Sequence, residues 1–364
     1  MKRYYLVAIL LMLFALSSCG KDQDDKPTTD GTPKQKSDTG VDMRTPDNNV
    51  NAYAKKALTG SFVDFWSKGD WTKEQWSSFL GEMQGLHLNT VIVQFAAYGD
   101  YTWFDSKNTF TNTKFKGALG NLLTVAAEKG MEVYIGLYFD GGYWHNQTNV
   151  SWLHTHADRC IEIAREIQAQ FGNSKAFKGW YIPHEPEPNA YNSSALVASF
   201  RDNFVNRISN KLHQLNNKPV AIAAFWNSGL STPDQLQHFM AELSKCNLQV
   251  IMLQDGVGAK HVTLDRLAAY YQSAEKGLYT ENTSYKGAFW IDLETFEQIP
   301  SGEFSSIPAN FDRVKGQIAV AIAVPRVSKV VSFDFYSDMS SVSPKGERAK
   351  KLYKDYQGFI NTIK

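Results

Sequence analysis

The sequence predicts an α/β fold, a (β/α)8 TIM barrel forming a single domain. Three observations point there. From Leu58 on, short runs rich in β-branched and aromatic residues alternate with longer runs of helical period. The short runs are apolar throughout rather than alternating, as strands covered on both faces are. Eight such strand–helix units follow one another between about residues 57 and 342, the usual extent of that barrel. A dinucleotide-binding sheet is the competitor. It needs a glycine-rich turn after its first strand, and Trp66-Ser67-Lys68-Gly69-Asp70 is not one.

The elements follow in order. Leu58 to Trp66 reads as the first strand. Thr72 and Gln75 form a capping box, and Trp76, Phe79, Leu80, Met83 and Leu86 give the stripe of the helix behind it. Thr90–Phe95 is the second strand, Leu119–Lys129 a helix stopped by Gly130, and Glu132–Phe139 the third strand. A helix from Trp152 to Phe171 leads to the fourth strand, which begins at Gly179 and must stop near Pro186, since proline cannot donate to a ladder. Ala195–Leu215 is helical and Pro219–Phe225 the fifth strand. Thr232-Pro233-Asp234-Gln235 starts another helix, with proline at its first position. Leu248–Leu253 is the sixth strand, Leu264–Lys276 a helix, Gly287–Leu293 the seventh strand and Phe311–Val324 a helix. Val330–Tyr336 is the eighth strand, and Ser343-Pro344 opens a closing helix.

The chain has 364 residues, 43% of them hydrophobic, with 38 basic against 37 acidic side chains and a net charge of +1. Nothing in that balance suggests a nucleic-acid footprint. The excess is aromatic, with 22 Phe, 17 Tyr and 9 Trp. Rings at loop positions suit stacking on sugars. Cys160 and Cys246 fall in helical patterns and read as buried small hydrophobes, with a disulfide between them as the alternative. No Cys/His ligand spacing signals structural zinc, and neither metal nor cofactor is expected.

Residues 1–18 have the charged start, short apolar run and small-residue ending of a secretory signal. Leu16-Ser17-Ser18-Cys19 resembles a bacterial lipobox, which implies lipidation of Cys19 and anchoring at the cell envelope. Asp22, Asp24 and Asp25 resemble the export tag of Bacteroidota surface lipoproteins. Residues 19–56 are poor in large apolar side chains and read as a tether to a domain at 57–364.

In such a barrel, functional residues sit at the C-terminal strand ends. Polar side chains collect there: Asp64 and Trp66, Gln94, Asp140, then His184, Glu185 and Glu187, Trp226 and Asn227, Gln254 and Asp255, Asp292 and Glu294, and Asp334 and Tyr336. Facing carboxyls among aromatics suit glycosidic cleavage, one protonating the leaving oxygen and the other attacking or activating water. Asp64, Trp66, Gln94, Asp140, His184, Trp226, Asn227, Asp255, Asp292 and Tyr336 are expected to bind the sugar chain.

Trp180-x4-Glu185-Pro186 resembles the Trp-x3-Asn-Glu-Pro ending of strand four in the large superfamily of retaining glycoside hydrolases with acids on strands four and seven. The resemblance implies Glu185 as general acid/base and Glu294 as nucleophile, with Asp292 the rival for the second role. His184 stands where that superfamily has the Asn that contacts the hydroxyl beside the anomeric carbon. Past the tether, the chain is similar to a Bacteroidota lipoprotein family with a glycosidase-like barrel, catalogued as a domain of unknown function. The segments that carry this are Thr59–Trp66, Gly179–Pro186 and Phe333–Tyr336. The expectation is a glycoside hydrolase at the cell envelope. It would act on an oligosaccharide or polysaccharide and touch the membrane only through its lipid. A non-catalytic glycan-binding lipoprotein and a metal-dependent enzyme using His184, Glu185, Asp255 and Glu294 are the alternatives.

Overall fold

The computed structural model describes residues 56–301 and 304–363. The signal segment, Cys19 and the tether through residue 55 lie outside them. Eight parallel strands close into a barrel: β1 (Gly60–Val63), β2 (Thr90–Val93), β3 (Glu132–Gly136), β4 (Phe177–Ile182), β5 (Val220–Ala224), β6 (Val250–Gln254), β7 (Ala288–Glu294) and β8 (Val327–Phe333). Each strand pairs with its sequence neighbours, and β8 returns to β1 through Gly60 opposite Val331 and Ser61 opposite Ser332. This is the expected TIM barrel.

The helices are α1 (Lys73–Gly85), α2 (Ala118–Glu128), α3 (Val150–Phe171), α4 (Ser194–Phe200), α5 (Asn206–Leu215), α6 (Pro233–Leu243), α7 (Leu264–Lys276), α8 (Phe311–Ile322), α9 (Phe335–Asp338) and α10 (Glu347–Ile360). The expected capping box forms at Thr72 on α1, and the helix start at Thr232 turns out to hold a second box on α6. A wide turn at Arg201–Val205 joins α4 to α5, so the expected single helix is a continuous but locally unwound one.

The interior is packed. Phe62, Ile92, Tyr134, Tyr181, Met252 and Trp290 fill it together with the small Ala221 and Ala223. Tyr134 meets Trp290 edge-on at 5.3 Å and Phe62 meets Tyr181 at 5.4 Å, so large rings are accommodated where β5 contributes only methyl groups. A second, larger core lies between barrel and helices.

Some elements depart from expectation. The eighth strand ends three residues early, and Tyr336 lies on α9 because Asp334 caps that helix, accepting from Ser337 N at 2.7 Å. Phe296–Ile299 and Ser305–Pro308 form an unexpected hairpin, and four short segments between Ala97 and Phe139 form a small extra sheet. Cys160 and Cys246 are both buried and free.

Candidate active site

The period of two along β7 puts Trp290 in the barrel interior and carries Asp292 and Glu294 up the same side toward the C-terminal mouth. Gln254, at the end of β6, lies opposite Asp292 in the ladder and hydrogen-bonds to Glu185 beyond β4. Glu185, Gln254 and Asp292 are thus brought together at one level. Burial pushes the Glu185 carboxyl up to about 7, against the pull of the Gln254 bond. Asp292 is 3% exposed, with a buried Oδ1 that has no partner among the described residues. Burial first, then the negative charges of Glu294, Asp255, Glu185 and Asp334, hold it well above the usual carboxylate range.

Glu294 sits in a different setting. Its Oε2 accepts from Ala259 N at 2.7 Å in the loop after β6, and Gly258 N adds a second backbone donor. Burial first, then the charge of Asp255, push its carboxyl up to about 8, and these donors and Arg313 offset only part of that rise. Arg313, on α8, donates through Nη2 to the carbonyls of Glu294, at 3.3 Å, and of Phe296. Asp255 is fully enclosed and bonded to Val257 N at 3.0 Å and to Gln317 Nε2, which makes it a brace for this corner.

Besides Asp255, two expected sugar contacts are corrected. His184 has no exposed surface, and its ring is enclosed by Tyr143, His156, Phe139 and Phe204 at 4.5–5.1 Å. Neighbouring residues on an extended segment point to opposite sides, so a Glu185 that faces the mouth sends His184 into the helix layer. Burial pushes that imidazole well below its ordinary range, leaving it neutral. Trp226 is likewise fully buried. It stacks on Tyr270 at 3.9 Å and donates from Nε1 to Gln254 O at 2.7 Å, so it steadies β6 from behind.

The others stand as follows. Trp66 is half-buried among Phe95, Tyr98, Tyr101 and Trp103, all edge-on. Asp64 accepts from Trp66 N and from the buried Lys68, whose Nζ lies 3.8 Å above the Tyr336 ring. Asp140 caps a turn through Gly142 N at 2.7 Å and accepts from Tyr138 Oη at 3.2 Å. Asn227 accepts from Gly229 N, and Gln94 is half-buried at the end of β2. Sequence reasoning missed Gln254 as a partner of Glu185, although it had marked the strand end. Arg313 and Gln317 carried no motif at all.

Residues 58–347 match the model of a family described as domain of unknown function (DUF4434). The chain belongs to that family. A relative from Escherichia coli, the uncharacterized protein YbcH, is 23% identical over 208 residues, covering 56% of this chain and 66% of its own, just under two thirds. Among solved structures, the barrel is similar to a "putative alpha-L-fucosidase" from Bacteroides thetaiotaomicron, with a TM-score of 0.70 and 19% identity over 84% of this chain and 96% of that one. An endo-beta-1,4-mannanase from Thermotoga petrophila matches at a TM-score of 0.57 with 10% identity, over 84% of this chain and 77% of that one. At such identities the likeness establishes a glycosidase-like fold.

Proposed function

We propose that this protein is a retaining glycoside hydrolase of the cell envelope, with Glu185 as general acid/base and Glu294 as nucleophile. The observation that carries the reading is Glu185 itself, a strand-end carboxyl that burial pushes up to about 7 and that sits beside Asp292 of β7. A group that must give a proton to the leaving oxygen and take one from water works best when its pKa lies near the working pH. The nucleophile, in contrast, must carry charge. Of the two β7 acids, both raised by burial, Glu294 has backbone N–H donors and Arg313 that offset part of its rise to about 8 and would support the anion once it ionises, whereas Asp292 has a buried oxygen with no donor among the described residues.

A panel of aryl glycosides and glycans tests the assignment. Glu185→Gln should lower turnover about 10²- to 10⁴-fold on substrates with poor leaving groups and spare activated ones. Glu294→Gln should abolish formation of a glycosyl-enzyme from a fluoro-sugar. If Asp292→Asn abolishes it instead, the nucleophile is Asp292. Binding by the wild type with no turnover on any member would replace hydrolysis with glycan binding.

The location is part of the same proposal and rests on Leu16-Ser17-Ser18-Cys19. Cys19→Ala should move the protein from the membrane fraction to the soluble one. Recovery of unacylated wild-type protein from the cytoplasm would overturn it.

A further inference from the structure

Behind the mouth, on the helix side of β4, three metal-ligating side chains converge. His156 and Cys160 lie four residues apart on α3 and so share a face. His184 reaches them from the chain leaving β4. One ligand atom from each, a ring nitrogen twice and Sγ once, all fall within 4.8 Å of one another. His184 and Cys160 are fully buried and His156 is 2% exposed.

Both nitrogens of His184 and Nε2 of His156 lack a hydrogen-bond partner among the described residues. Leaving a buried polar group unpaired is costly, so three such nitrogens at one spot call for an explanation. The walls are rings: Phe139, Tyr143 and Phe204 around His184, and Trp152 stacked at 4.3 Å on His156.

We propose that His156, Cys160 and His184 form a closed three-ligand site for a thiophilic d10 cation, copper(I) or zinc(II). Loading forms two N–metal bonds and one S–metal bond. The Cys160 S–H breaks and its proton leaves to solvent, so the present S–H bond to the Tyr138 carbonyl, 3.3 Å long, is given up. No oxidation state changes. The atoms must draw in slightly to reach the usual bond lengths of about 2.0 Å to nitrogen and about 2.3 Å to sulfur. Charge favours copper(I): with one thiolate and two neutral imidazoles the loaded site is neutral, whereas zinc leaves a net positive charge among aromatic rings and wants a fourth ligand. The site is separate from the proposed hydrolytic chemistry, although it ties α3 to the residue before Glu185.

The test uses the full chain, stripped by chelation under reducing conditions and then dialysed against buffered copper(I) or zinc(II). Elemental analysis should find one equivalent of copper per chain. At a free-metal concentration 100 times Kd, Tm should rise by about 5–10 °C. Cys160→Ser and His156→Phe should reduce bound metal to background, while Cys246→Ser and Cys19→Ala should leave it unchanged. Should the first two variants fail to fold, X-ray absorption on the loaded wild type decides alone, through one sulfur and two nitrogens around the metal. One equivalent of zinc in that same shell would confirm the site and name zinc as its occupant. Retention of neither metal, or a shell without sulfur, would overturn the proposal and leave buried water as the partner of these nitrogens.

Discussion

At the scale of single residues, Glu185 links burial to pH. Its ordinary value is 4.5, and burial in the folded barrel pushes it up to about 7. The fold therefore prefers the protonated form. Its contribution to stability is whole below pH 4.5 and is lost as pH rises through about 7. Glu185→Gln cannot ionise, so the variant should match the wild type at pH 4.5 and exceed it by roughly 2–3 kcal/mol above pH 8. Urea unfolding at both pH values checks this, and equal stabilities at pH 8 would show that the carboxylate reaches water. The same titration should set the alkaline limb of kcat/KM near pH 7, where the proton donor is lost. Trp226 and His184 teach a related lesson. Their side of the chain was not legible from the sequence, because a shift of one residue in where a strand ends exchanges mouth for helix layer. Glu185, four residues along from Tyr181, and Asp292, two along from Trp290, follow the alternation that those two residues establish in the core.

At the scale of elements, strand–helix alternation and capping chemistry were legible because each is local: Thr72 holds its box as read, and Thr232 starts its helix as read. What the loops bring together is not local. Arg313 and Gln317 lie one turn apart on α8 and meet the ends of β6 and β7 only through the closed barrel. His156 and Cys160 are one helical turn apart, a pair too short to read as a metal motif, and the third ligand sits on another element. The loop after β6 shows how tightly such placement is specified. A Cβ on Gly258 would stand 2.4 Å from Phe296 O and 2.8 Å from Glu294 Cβ. Only a glycine lets this loop lie against β7 and direct Ala259 N to Glu294. Gly258→Ala should displace the loop, lower stability by an overpacking cost of about 1–3 kcal/mol and reduce kcat well beyond what the loss of folded protein explains. Wild-type kcat with a normal Tm would mean that the loop does not position the carboxylate.

At the scale of the whole molecule, the two ends of the barrel divide the work. The C-terminal end gathers acids whose pKa values are raised, a state that costs stability at neutral pH. The opposite end closes with a satisfied charge cluster. Lys329 on β8 reaches Glu132 on β3 at 3.0 Å and Thr90 on β2 at 3.1 Å, with its ammonium 4.9 Å from the Trp290 ring. Lys178 on β4 meets the other oxygen of Glu132 at 3.2 Å. Burial acts to raise the Glu132 carboxyl, but the two lysines together hold it below its ordinary 4.5. Here the sign is the reverse of that at Glu185: the stabilisation is present above pH 4.5 and fades as pH falls through the lowered value. Because Lys329 spans the barrel floor, Lys329→Met removes contacts among three strands at once and leaves Glu132 to Lys178 alone. The expected loss is about 2 kcal/mol at pH 7, less than for a fully buried pair because both partners are partly exposed. Adding Glu132→Gln should restore part of it, since the neutral amide needs no counter-charge. The deficit of the single variant should shrink as pH falls through the lowered Glu132 value, below which the carboxyl is protonated in both proteins. Neither variant touches the mouth, so kcat/KM per folded molecule should stay at the wild-type value. A Lys329→Met protein as stable as the wild type at pH 7 would show that closure of the barrel floor rests on its apolar layers alone.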